Sequence, residues 1–158
     1  MNSTLNFIGL EKDKVEKLSK NLNNLLADYQ IFYQNLRGFH WNIKGENFFE
    51  LHEKFEELYK DIREKIDEIA ERILTIDGQP LHTISDYCEI SEIKEAKNIE
   101  DGREAVEITL NGFQIILAKQ RSIMSQAQEA DDEGTITLIS DYIANQEKTA
   151  WMLKSWLR

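Results

Sequence analysis

Apolar residues recur every three or four positions from Val15 through Leu18, Leu22, Leu25, Tyr29, Phe32 or Tyr33, and Leu36. That spacing predicts a helix over about residues 11–36 with one buried stripe. The signal returns at Phe48, Leu51, Phe55, Leu58, Ile62, Ile66, Ile69 and Ile73, until Gly78-Gln79-Pro80 stops it. At about 1.5 Å per residue, this second helix runs roughly 40 Å. A third is expected over about residues 99–127, through Val106, Leu110, Phe113, Leu117 and Met124. A fourth follows over about 135–157, through Ile139, Ile143, Ala150 and Leu153. The linker 81–97 joins the second and third helices, and its residues 91–97 are expected to form a short helix.

Four helices with one longer crossover in the middle give an all-α, four-helix bundle with the connectivity of ferritin-like folds. At 158 residues the chain is expected to form one domain, 1–158, large enough to bury a core without staples. Seven Gly and a single Pro leave few breakers, in keeping with long helices. No apolar run is long enough to span a bilayer. The start, MNSTLNFIGL, has neither the basic residues nor the apolar stretch of a secretion signal. Cys88 is alone, which excludes an internal disulfide framework and fits a reducing compartment, so a cytoplasmic location is expected. The formal charge of −10 argues against a general nucleic-acid binder and suits a protein that attracts cations, although acidic balance also simply favours solubility.

Candidate chemistry concentrates in one stretch. Of three histidines, His40 lies in FHWNIKG, read as the loop before the second helix, and His52 lies in FFELHEKFEELY. His52 and Glu56 are four apart and share a helix face, as do Asp67 and Glu71 in KIDEIAERI. This face lies off the apolar stripe, so the four side chains flank the core. His52 and Asp67 are 15 positions apart, or about 22 Å along a straight helix, too far to hold one metal within one chain. The pairs nevertheless share a midpoint, 61.5, between Asp61 and Ile62. A second copy laid antiparallel about a two-fold axis there brings His52 and Glu56 of one chain to Asp67 and Glu71 of the other. His40, at the same end of its hairpin as His52, can join them. Two imidazoles with carboxylates and no thiolate suit iron, with manganese or zinc as competitors.

The stretch FHWNIKGENFFELHEKFEELYKDIREKIDEIAERI, followed by GQPLHTISDY, resembles the signature region of Dps proteins, the ferritin-like DNA-binding proteins from starved cells. The helix pattern extends the resemblance over nearly the whole chain. The resemblance implies a hollow dodecamer that oxidises Fe(II), preferably with hydrogen peroxide, and stores ferric mineral inside. It implies iron ligands at His40, His52, Glu56, Asp67 and Glu71, with Glu56 standing where many members have Asp. It also implies that two irons can be oxidised together without release of hydroxyl radical. Carboxylates favour Fe(III), and unprotonated imidazoles hold Fe(II) at neutral pH. The Glu-x-x-His motif of within-bundle di-iron sites occurs nowhere in the chain, which argues against such a centre.

Trp41 is either an electron donor to the site, when only one iron is present, or a packing residue. Asp131-Asp132-Glu133 either lines an iron-entry pore of the kind the family has, or is a helix N-terminal charge cluster. His82 reads as a surface or packing residue, and Cys88 as a small buried or inert thiol. Many Dps members that bind DNA carry a Lys- and Arg-rich tail. Here the first ten residues hold neither, and Lys12, Lys14, Lys17 and Lys20 alternate with Glu11, Asp13 and Glu16. Iron chemistry is therefore the primary expectation. A DNA-compacting protein with secondary iron chemistry is the alternative.

Overall fold

The computed structural model describes residues 4–158. The chain forms α1 (Lys12–Asn42), α2 (Phe48–Thr75), the short α3 (Ile84–Ile90), α4 (Gly102–Glu129) and α5 (Glu133–Trp156). Among the described residues β-pairing is confined to two isolated bridges, Leu5 with Glu11 and Lys44 with Asp101. No described helix is long and apolar enough to cross a membrane. Helix α1 packs against α2, α3 and α4, and α4 pairs with α5. The result is the expected ferritin-like bundle: two helical hairpins joined by a crossover that carries α3.

The apolar stripes of α1 and α2 interlock as their spacing predicts. Val15, Leu18, Leu22, Leu25, Tyr29, Phe32 and Leu36 are buried, together with Leu51, Phe55, Leu58, Ile62, Ile69 and Ile73. On α4 Val106 and Phe113 are buried as expected, but the series 110, 117, 124 gives way to positions one residue earlier. Ile116 and Ile123 are fully buried, whereas Leu117 is only partly buried and Met124 packs against the core's edge. The close approach of α1 sets this register. A Cβ on Gly112 would lie 2.7 Å from Cε2 of Phe32, and the Phe32 ring meets Phe113 edge-on at 5.0 Å. Only a residue without a side chain fits there.

The centre of the bundle is polar and closed. The Tyr29 hydroxyl donates to Gln120 Oε1 (2.6 Å), Gln120 Nε2 donates to Gln146 Oε1 (2.8 Å), and Gln146 Nε2 donates to the Tyr29 oxygen. All three residues are buried. Burial pushes the Tyr29 phenol well above its ordinary range and keeps it a neutral donor. The ring of hydrogen bonds satisfies buried polar groups that would otherwise cost about 1–3 kcal/mol each.

Two expectations about the elements are corrected. First, α1 does not stop near Leu36 but continues through Gly38 to Asn42, so His40 is a helical residue and not part of a loop. Phe39, buried against Phe55 with ring centroids 5.5 Å apart, holds those extra turns to α2. Second, the crossover helix lies at Ile84–Ile90, not over residues 91–97. The Thr83 hydroxyl caps it by accepting from the Asp86 N–H. The segment after Ser91 is instead tied to α1. Asp28 accepts from Ser91 Oγ, the Glu92 N–H and the Lys119 ammonium, while Asn35 bonds Lys94 O and the Ala96 N–H. A backbone bonded sideways to α1 cannot also close helical turns.

Of the two readings of the acidic cluster, the helix-terminus one holds for Asp132. Asp132 is 2 % exposed and caps α5, accepting from the Thr135 N–H and hydroxyl and pairing with the Arg72 guanidinium. Its role is structural, whereas Asp131 and Glu133 remain exposed.

Candidate metal centre

The last turn of α1 and the second turn of α2 bring His40 and His52 face to face. Their rings stack with centroids 3.8 Å apart and planes 13° from parallel. Each ring also bonds the other residue's main chain: His40 Nδ1 lies 2.6 Å from His52 O, and His52 Nδ1 lies 2.7 Å from His40 O. A carbonyl oxygen only accepts, so both Nδ1 atoms must be the protonated donors. In the neutral rings both Nε2 atoms are then unprotonated and hold their lone pairs. A hydrogen bond from one ring nitrogen to a carbonyl is the device by which metal-binding histidines are oriented. The Phe48 ring stacks on His52 at 5.1 Å, and Tyr59 meets His40 edge-on at 5.4 Å.

Glu56 sits one turn beyond His52 on the same face, half-exposed, with its carboxylate 3.3 Å from Lys60 Nζ. That surface pair is weak, and a metal cation would compete for the carboxylate. Asp67 and Glu71 lie further along α2, exposed, and among the described residues their carboxylates form no ion pair. The structure thus brings His40 and His52 together and leaves Asp67 and Glu71 remote from them. Among the described residues, no three His, Cys, Asp or Glu side chains gather to hold a metal within one chain. The donors that are present, two aimed imidazoles and a neighbouring carboxylate, fit a half-site for a nitrogen- and oxygen-loving divalent ion.

Apart from Trp41, sequence reasoning missed the aromatic and basic residues around this pair. Tyr33 meets Tyr59 edge-on at 6.0 Å. The Arg37 guanidinium lies 5.2 Å from the Tyr33 ring centroid and 4.8 Å from that of Trp41. The signal was legible as the spacing 33, 37, 41 on α1 and 52, 59 on α2, which puts each set on one face. Trp41 itself is 56 % exposed and carries Arg37 on its ring, so it is not a core packing residue. His82 is exposed, its Nδ1 3.0 Å from Pro80 O, and Cys88 is exposed and not buried.

Two helical hairpins joined by a crossover that carries a short helix make this a ferritin-like protein. The ferritin-like domain family matches residues 19–158. A Dps protein from Vibrio cholerae O1, described as a member of a superfamily of ferritin-like diiron-carboxylate proteins, superposes with a TM-score of 0.97. It is 51% identical, with 100% of this chain and 99% of that one covered. The DNA protection during starvation protein of Porphyromonas gingivalis is 43% identical over 99% of this chain and 98% of its own length. A Dps protein from Bacillus brevis is 38% identical with a TM-score of 0.89, covering 92% of this chain and 98% of that one. The chain belongs to the Dps family.

Proposed function

We propose that this protein is a mini-ferritin that binds Fe(II) between two copies of its chain, oxidises it with hydrogen peroxide and stores the ferric product in a hollow shell of twelve subunits. It thereby protects the cytoplasm against oxidative damage. The observation that carries this reading is the reciprocal clasp of His40 and His52, which fixes both tautomers and leaves both Nε2 atoms free to ligate. His40, His52 and Glu56 of one copy form half of each site, and Asp67 and Glu71 of a second copy supply the other half. The shared midpoint of these pairs on α2 makes the arrangement two-fold, with two equivalent sites per dimer. The names of the relatives, starvation-protection proteins and a diiron-carboxylate superfamily member, support iron-linked protection.

The roles follow from charge and donor type. The neutral imidazoles take up Fe(II) without having to lose a proton. The carboxylates add negative charge that favours Fe(III), and so drive oxidation forward. Asp67 and Glu71, exposed and in no ion pair among the described residues, are available to a cation. The net charge of −10 repels DNA phosphate, and the basic side chains of the first turns of α1 are interleaved with acids, so the DNA-compacting alternative is not favoured.

A mixing experiment tests the shared site. A His40→Ala/His52→Ala variant and an Asp67→Ala/Glu71→Ala variant are each nearly inactive, and are unfolded and refolded together. In a mixed dimer one site collects all four substitutions and the other keeps every native ligand, so ferroxidase activity returns. Mixed dimers without activity would mean that the ligands come from a single chain.

A further inference from the structure

We propose that the groove between α2 and α5 binds a linear aliphatic polyamine, a chain of methylenes interrupted by ammonium groups. This goes beyond the iron site and does not depend on it.

Helix α2 packs on α1, and α5 packs on α4, which leaves a groove of about 600 Å³ between α2 and α5. Its floor is apolar: Leu51 and Leu58 of α2, Val106 of α4 and Leu153 of α5 line it, and all four are buried. The α2 rim is acidic. Glu50, Glu53, Glu57 and Asp61 line the groove at spacings of three, four and four residues. They form one row along the helix, eleven positions or about 16 Å long. Against these four carboxylates the lining holds one ammonium, that of Lys54. The α5 rim supplies Asn145 and Thr149, neutral side chains that can hydrogen-bond.

The acidic row is built for N–H donors taken one at a time. Glu50 accepts from the Trp156 indole, Glu57 from the Lys54 ammonium and Asp61 from the Lys65 ammonium, each at 2.6 Å. Neighbours in such a row stand about 5–6 Å apart at Cβ and do not converge. Among the described residues, no three acidic, histidine or cysteine side chains gather to hold a metal. A hard divalent ion calls for several oxygens at one point. Ammonium groups separated by three or four methylenes instead take one carboxylate each, in charge-assisted hydrogen bonds.

The floor makes the same choice. A hydrated metal ion gains nothing from Leu58 or Leu153, whereas every methylene laid on them leaves water. Lysine stems use this arrangement on protein surfaces, with the hydrocarbon on apolar ground and the ammonium at its edge. Beyond Asp61 the buried Lys65 places a fixed ammonium, 5.1 Å from the Tyr142 ring centroid. That cation ends the acidic row and limits how far a cationic chain reaches along the groove.

The test is isothermal titration calorimetry of the assembled, metal-free protein with spermidine at about 0.15 M salt, where screening acts over roughly 8 Å. Saturable binding of one spermidine per chain is expected. Butylamine, with a single ammonium, should bind at least about tenfold more weakly, the factor that one charge-assisted hydrogen bond carries. Glu53→Gln/Glu57→Gln, which keeps size and shape, should weaken spermidine binding to the same degree. Thr149→Trp, which fills the groove and leaves every charge in place, should abolish it while circular dichroism keeps its helical signal. The glutamine pair reads the site even where the tryptophan disturbs packing. No binding to the assembled protein would mean that a second copy covers the groove, and overturns the proposal. Wild-type affinity in the glutamine pair or in a folded Thr149→Trp also overturns it, as diffuse counterion attraction. So does displacement of spermidine by an equal concentration of Mg²⁺, which would make the row a metal-ion surface. No iron enters the experiment, so its failure and that of the iron site remain distinguishable.

Discussion

His40 and His52 show how little freedom a candidate ligand pair needs to retain. Each ring is fixed by a hydrogen bond to the other's main chain and by stacking, so little rotamer entropy remains to be lost when a metal arrives. Asp67 and Glu71 are the opposite case: exposed and, among the described residues, in no ion pair. Replacing either by Ala should slow Fe(II) oxidation at least about tenfold, the lower range for disturbing a metal site. Stability should change by no more than about 0.5 kcal/mol, as for surface positions generally. Stopped-flow absorbance after mixing with Fe(II) and peroxide reads the first effect, and thermal unfolding the second. Wild-type rates in both variants would remove these residues from the site. The candidate residues and their spacing were readable in the sequence. The mutual clasp was not, because it depends on α1 passing Gly38 without ending, a matter of tertiary contact.

At the scale of elements, periodicity located all four long helices but misjudged details that only neighbours decide. On α4 the positions 110, 117, 124 and 109, 116, 123 both keep a seven-residue spacing, so the pattern alone could not choose between them. Gly112 against the Phe32 ring chooses. The short helix was misplaced for a different reason. Thr83 and Asp86 form a cap at three-residue spacing that was there to be read, whereas the side-chain clamps of Asp28 and Asn35 on residues 91–96 join positions some sixty apart. The α1–α4 contact gives a direct test. Gly112→Val drives its side chain into Phe32 and should destabilise the fold by about 1–3 kcal/mol, the usual cost of overpacking. That corresponds to a fall in Tm of roughly 2–4 °C per kcal/mol for a domain of this size. An unchanged Tm by circular dichroism would show that the helices can move apart freely.

For the whole molecule, charge is the deciding property. A formal charge of −10 per chain multiplies on assembly and opposes the approach of phosphate. The assembled protein should therefore fail to retard duplex DNA at neutral pH and about 0.15 M salt, where screening acts over roughly 8 Å. A stable gel shift under those conditions would reveal a basic surface created only on assembly. The same negative field should concentrate Fe(II) near the shell, so that raising ionic strength slows iron uptake more than it slows oxidation of iron already bound.

Because Tyr29, Gln120 and Gln146 saturate one another at the bundle centre, the folded chain asks nothing of a metal. Chelators should leave the melting curve of the apoprotein where it is. Dilution should act quite differently: once subunits separate, oxidation stops while the helices stay intact. Below the concentration at which subunits pair, activity should rise with the square of subunit concentration, and parallel measurements of helicity and turnover across a dilution series would trace that curve. Gene dosage would then meter the chemistry, silent in a cell with scattered subunits and fully expressed once synthesis carries them past the threshold for pairing.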